Sequence, residues 1–242
     1  MGAAVQPQTT SQTSFLQDAV DVFNVLHEPT TVFNKIKERA RILAPWIVLS
    51  VSLIVVSYLT RPYQAAAFEA FKSTLSAEQA TRMVNRGQGG AAGLLLIPAF
   101  LLVGLAIGAG LLWVGVSLTG TQARFKTLLS VLAYSSITYI LFSIVAIIVL
   151  TVRGKQAITG FADLRAPLGL DLLTPSAGLF LGTFLNGINP FSVWGVWLTG
   201  TGVSITHGTS RNTAIAVTAV VYVLCLLLMA APTLLLGLAT RQ

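Results

Sequence analysis

The stretch AAGLLLIPAFLLVGLAIGAGLLWVGVSL at residues 91–118, followed by TGTQARFK at 119–126 and TLLSVLAYSSITYILFSIVAIIVL at 127–150, decides the fold. Its only charges are Arg124 and Lys126, both in the short polar break. A hydrocarbon core about 30 Å thick takes about 20 apolar residues of helix to cross, and each arm is longer than that. The pattern predicts a transmembrane helical hairpin with its turn at Thr119 to Arg124.

The rest of the chain carries the same signature. Hydrophobic residues make up 54% and charged residues 10%, and mean hydropathy is +0.78, whereas soluble domains are about a quarter charged. The expected class is all-α: a polytopic membrane helical bundle of five transmembrane helices with an N-terminal amphipathic segment. The spans are expected at about 42–60, 91–118, 127–152, 189–206 and 212–238. A net charge of +7 would suggest nucleic acid in a soluble chain. Here no charged domain outside the membrane offers a binding face, so no nucleic-acid partner is expected, and the basic residues suit orientation and contact with anionic lipid. The one cysteine, Cys225, lies in an apolar run, so no intramolecular disulfide forms. Residues 1–14 are polar and uncharged, without the pattern of a signal peptide.

Residues 1–13 read as a disordered tail and 14–41 as amphipathic helices. Phe15, Leu16, Ala19, Val20, Phe23 and Leu26 recur at helical spacing, with Asp18, Asp21 and Asn24 on the other side. After Pro29, a second helix capped by Thr30 or Thr31 places Val32, Phe33, Ile36 and Ala40 on one face. Lys35, Lys37, Arg39 and Arg41 occupy the rest, as candidate contacts to lipid headgroups. Two placements stay open: in the interface, or docked on the protein's own spans. Arg61 and Pro62 are expected to end the first span. In the long connection 62–90, Ser76 to Gln79 reads as a capping box.

Gly104 and Gly108, four apart in the second span, are candidate helix-packing residues. Asn186 to Pro190 interrupts the apolar region 177–206. It is either a broken helix at membrane depth, with Asn186 and Asn189 as polar contacts of a transport site, or a short helix and turn before a fourth span, the reading favoured here. Residues 113–121 and 194–201 share Trp and Leu-Thr-Gly-Thr, which would fit a parallel hairpin repeat. Four basic residues crowd the approach to the first span, so the N-terminus is expected in the cytoplasm and the C-terminus on the opposite side of the cell membrane.

Catalysis is not expected. The spans hold no Asp, Glu, Lys, Arg or His well inside them. His27-Glu28 lacks a second zinc-protease histidine, Gly115 to Thr119 has Thr where a nucleophile elbow needs Gly, and His207 stands alone. No phosphate loop appears, so neither cofactor nor metal is expected.

Glu28-Pro29 through Phe33 to Ile36, Pro45-Trp46, Phe125 through Tyr134-Ser135, and Asn189-Pro190-Phe191-Ser192-Val193-Trp194 resemble the bacterial branch of the Yip family, the Ypt/Rab-interacting membrane proteins. The resemblance covers most of residues 23–238. It implies a five-span protein with a cytosolic N-terminus and no catalytic activity. Eukaryotic members bind prenylated Rab GTPases, but of their Asp-Leu-Tyr-Gly-Pro signature only Pro45 is matched, so GTPase binding is not carried over. The expected function is non-enzymatic: to organise or assist other membrane components, alone, as a homo-oligomer or with other membrane proteins. The alternative is a subunit of a transporter or permease with a polar site near Asn186 to Pro190.

Overall fold

The computed structural model describes residues 10–73, 91–174 and 178–239, which are helical apart from short connections. In chain order the helices are α1 (Thr10–Asn24), α2 (Pro29–Glu38), α3 (Leu43–Lys72), α4 (Ala91–Leu118), α5 (Phe125–Ser135), α6 (Ile137–Arg153), α7 (Leu179–Gly187), α8 (Pro190–His207) and α9 (Arg211–Ala239). Three short 3-10 turns cross the connection between α6 and α7. The capping box expected at Ser76 and most of the N-terminal tail lie outside the described residues.

Among the described residues, four stretches are long and apolar enough to cross a membrane: Leu43–Lys72, Gly93–Leu118, Phe125–Arg153 and Arg211–Thr233. The chain is a multi-pass membrane protein. α8 falls outside that group because its sequence mixes Gly, Thr and Ser with its apolar residues. Its position explains the composition. α8 packs against α2, α5, α6 and α9, and Leu198 through Val203 are all buried. A helix segment packed among other helices, as this C-terminal half of α8 is, needs small residues for close approach more than an apolar surface for lipid.

The first span does not end at Arg61-Pro62. Pro62 removes one backbone donor, yet α3 runs on to Lys72. Beyond it, Tyr63 and Ala67 are buried against Leu150 and Ile158; tertiary packing holds the helix where the local signal would break it. The third span is two helices parted at Ser136. There the Ser136 hydroxyl donates to the Leu132 carbonyl at 2.8 Å and the Thr138 hydroxyl to the Ser135 carbonyl at 3.1 Å. Side-chain bonds of this kind compete with the helix ladder and bend it.

The N-terminal helices belong to the main core. Val22 and Val25 of the α1 region and Val32, Phe33 and Ile36 of α2 are buried together with Leu128, Val131 and Val203. The apolar face of α2 therefore docks on the protein's own helices. α1 is turned the other way from its expected orientation: Asp18 and Asp21 are buried, while Leu16, Val20 and Phe23 are exposed. Its carboxylates face inward because α2 and the segment after it supply cations to meet them. α2 begins with Pro29 at its first turn and no side-chain cap, in place of the expected threonine.

The suggested hairpin repeat is not structural. Thr119-Gly120 closes α4, with Gly120 at φ +78°, whereas Thr199-Gly200-Thr201 lies inside α8, which continues to His207 and ends at Gly208, φ +69°. Both are left-handed positions that favour glycine. The two turns nevertheless meet at one end of the bundle. The backbone N–H of Arg124 donates to His207 Nε2 at 3.1 Å, and its guanidinium to the Thr206 carbonyl at 3.1 Å.

Candidate functional site

Two features stand out: a collar of α1 and α2 at one end of the bundle, and a cavity among α4 to α9. In the collar, Lys35 Nζ donates to both Asp21 carboxylate oxygens at 2.9 and 2.8 Å, and Arg41 pairs with Asp18. Gln17 and Asn24 also donate to Asp21. Burial pushes the Asp21 carboxyl up, but the bonds from Lys35, Gln17 and Asn24 together outweigh it and hold the group below its ordinary value. Tyr134 of α5 donates to the Asp18 carbonyl at 3.3 Å, tying α1 to the bundle. Of the four basic residues expected at headgroups, Lys35 and Arg41 thus face carboxylates, while Lys37 and Arg39 are exposed.

The docking of α2 turns on one glycine. A Cβ built on Gly202 of α8 would lie 2.9 Å from two ring atoms of Phe33 and 2.6 Å from Val131. Gly200, two residues earlier, lets α8 meet the backbone of α9, where a Cβ would come 2.7 Å from Ile215 Cα. Sequence reasoning singled out Gly104 and Gly108 instead. Gly108 sits against Leu132, whose Cδ2 would be 2.8 Å from a Cβ, while a Cβ on Gly104 would meet nothing within 4 Å. The Gly200 and Gly202 contacts were missed, although a helix with the run Thr-Gly-Thr-Gly carries the signal.

The cavity, about 530 Å³, lies between α4 on one side and α6, α7, α8 and α9 on the other. Leu101, Leu105, Leu112, Phe142, Val221 and Leu226 supply much of its wall. Polar residues line it too, but they spend their donors on backbone carbonyls. Thr183 bonds to Leu179, Thr218 to Ala214 and Tyr222 to Gly187, all at 2.7 to 2.8 Å. The Ser135 hydroxyl, buried at the wall, makes no hydrogen bond, and Thr199 and Tyr139 also line the cavity.

Asn186 and Asn189 stand at one end of this cavity. Asn186 Nδ2 donates to the Ala166 carbonyl at 2.7 Å and to Asp171 Oδ2 at 3.2 Å. Asn189 caps α8: its Oδ1 accepts from the N–H groups of Phe191 and Ser192, and its own N–H donates to Ser192 Oγ. This reciprocal cap satisfies the orphan donors of a helix start. Asn186 thereby ties α7 to the connection before it, and Asn189 holds the α7 to α8 junction.

Outside the spans, a smaller polar hollow of about 310 Å³ is lined by Arg153, Asp163, Arg165 and Asp171. Bonds from Thr159 hold the Asp163 carboxyl below its usual value. Among the described residues no group of three or more His, Cys, Asp or Glu could hold a metal.

A bundle of apolar spans packed on the Gly- and Thr-bearing half of α8 defines a multi-pass α-helical membrane protein. Residues 23–231 match the Yip1 domain, and the chain belongs to that family. No curated protein and no solved structure matches it.

Proposed function

We propose that this is a non-enzymatic, five-span member of the bacterial branch of the Yip family that organises or assists other components of the cell membrane. The observation that carries the reading is the collar. α1 and α2 are anchored to the spans by Phe33 and by the Asp21–Lys35 and Asp18–Arg41 pairs, and they turn Leu16, Val20 and Phe23 outward. A rigid platform with an apolar stripe and exposed Lys37 and Arg39 suits the lipid interface, with its cations toward anionic headgroups.

The fifth crossing in this reading is α8, whose 18 residues span about 27 Å. The four basic residues before α3 favour a cytoplasmic N-terminus. A transporter subunit with a polar path at Asn186 and Asn189 draws less support, since the side chains of both residues are engaged in local bonds.

The test is native mass spectrometry of the tagged protein carried from its own membrane directly into nanodiscs. The expected result is the chain alone or as a homo-oligomer, with anionic lipid retained. Recovery with a stoichiometric ATPase or permease subunit would overturn the free-standing reading.

A further inference from the structure

The cavity has no occupant in the reading above, and its chemistry specifies one. We propose that it holds a single acyl chain of a bilayer lipid, admitted sideways between α4 and α6 near mid-membrane. Four observations converge.

The first is depth. Gly104 lies half way along α4, a helix of 28 residues, and Tyr139 lies near the middle of the span Phe125–Arg153. Both line the cavity and both are exposed, Tyr139 by 56%. The opening therefore faces the part of the bilayer where lipid tails, and no water, are the solvent.

The second is the opening itself. On α4 it is bordered by Gly104, where even a Cβ would touch nothing within 4 Å. No side chain closes that edge.

The third is volume. A water needs roughly 10 to 15 Å³ of such space, so about 530 Å³ is far more than a few waters fill and leaves room for a lipid tail.

The fourth is polarity. A wet path needs donors and acceptors turned toward its interior. Here the hydroxyls of Ser136, Thr138, Thr183, Thr218 and Tyr222 bond to backbone carbonyls. Those five present mainly carbon to the interior, against the hydroxyls of Ser135, Thr199 and Tyr139.

The native Cys225, the one cysteine of the chain, lines the cavity and serves as a reporter. The probe is phosphatidylglycerol with a diazirine at mid-chain, incorporated into nanodiscs holding the full-length protein. After photolysis, adducts are mapped by peptide mass spectrometry. The expected result is labelling of the wall peptide around Cys225 at least tenfold above background. Gly104→Leu, which extends a side chain into open space, is expected to cut that labelling about tenfold. Gly93→Leu, on the same helix with equally open space but outside the cavity, leaves it within twofold. Background labelling of the Cys225 peptide in the wild type overturns the proposal whatever the variants do. So does labelling that Gly104→Leu leaves unchanged while thermal melting shows the variant folded. Rapid modification of Cys225 by a small charged methanethiosulfonate would show a wet path instead. Cys225 to Cys225 crosslinking between copies would show a second chain in the lipid's place. None of these outcomes depends on which partners the protein has.

Discussion

If α2 is part of the core rather than a helix resting on headgroups, Phe33→Ala should undock it. Phe33 is fully buried, with its ring edge in the gap that Gly202 leaves open. Truncating a buried phenylalanine costs about 3 to 5 kcal/mol, transfer and cavity terms together. At about 1.4 kcal/mol per decade, local opening of the collar should rise by roughly two to three and a half orders of magnitude. The assay is amide hydrogen exchange of the purified protein in nanodiscs, followed on peptides covering Val32 to Glu38. Protection there should collapse while that of α9 holds. A companion cycle sharpens the test. Gly202→Ala forces its Cβ against the Phe33 ring in the wild type but meets a void there in the Phe33→Ala background, so the two effects should couple by about 0.5 to 3 kcal/mol. Protection of α2 unchanged within about threefold in Phe33→Ala would refute the docking.

Three further outcomes follow from the geometry. Gly200→Ala should push α8 from α9, because its Cβ would meet the Ile215 backbone at 2.7 Å; overpacking of this kind costs about 1 to 3 kcal/mol, read as a lowered melting temperature. Trp46→Phe loses the indole bond to the Pro98 carbonyl at 3.0 Å, worth about 0.6 to 2 kcal/mol between helices in lipid, and a melting temperature equal to wild type would contradict it. Burial and the neighbouring Arg124 hold His207 below its usual 6.5, so the folded state binds fewer protons than the unfolded one in that window. Its contribution to stability is complete above about 6.5 and is lost as the pH falls through the lower folded value. Melting temperature should therefore drop on mild acidification, and His207→Gln should flatten that part of the profile.

Long apolar runs are the signal a bilayer demands, and the helices α3, α4, α5–α6 and α9 were accordingly legible in the sequence. What composition could not convey was which surface of each helix meets protein. Asp18 and Asp21 mark the solvent face of an amphipathic helix by pattern alone. They turn inward because Lys35 and Arg41, 14 and 23 residues away, come to meet them. Pro62 looks like a stop and is overridden by contacts with Leu150 of a distant span and Ile158 of the connection that follows it. The break before α8 was visible in Asn189-Pro190, since a cap followed by proline at the first turn is a local device. The cavity was not, because hydroxyls that bond their own helix and hydroxyls that face a pore share one letter code.

The composition of α8 bears on how the protein is made. A segment this rich in Gly, Thr and Ser is a poor candidate to leave an insertion channel for lipid unaided. Its surroundings are supplied by α2, α5 and α6, all translated earlier, and by α9, translated next. In the five-span reading, most of the surroundings of α8 are thus made before it, and α9 completes them.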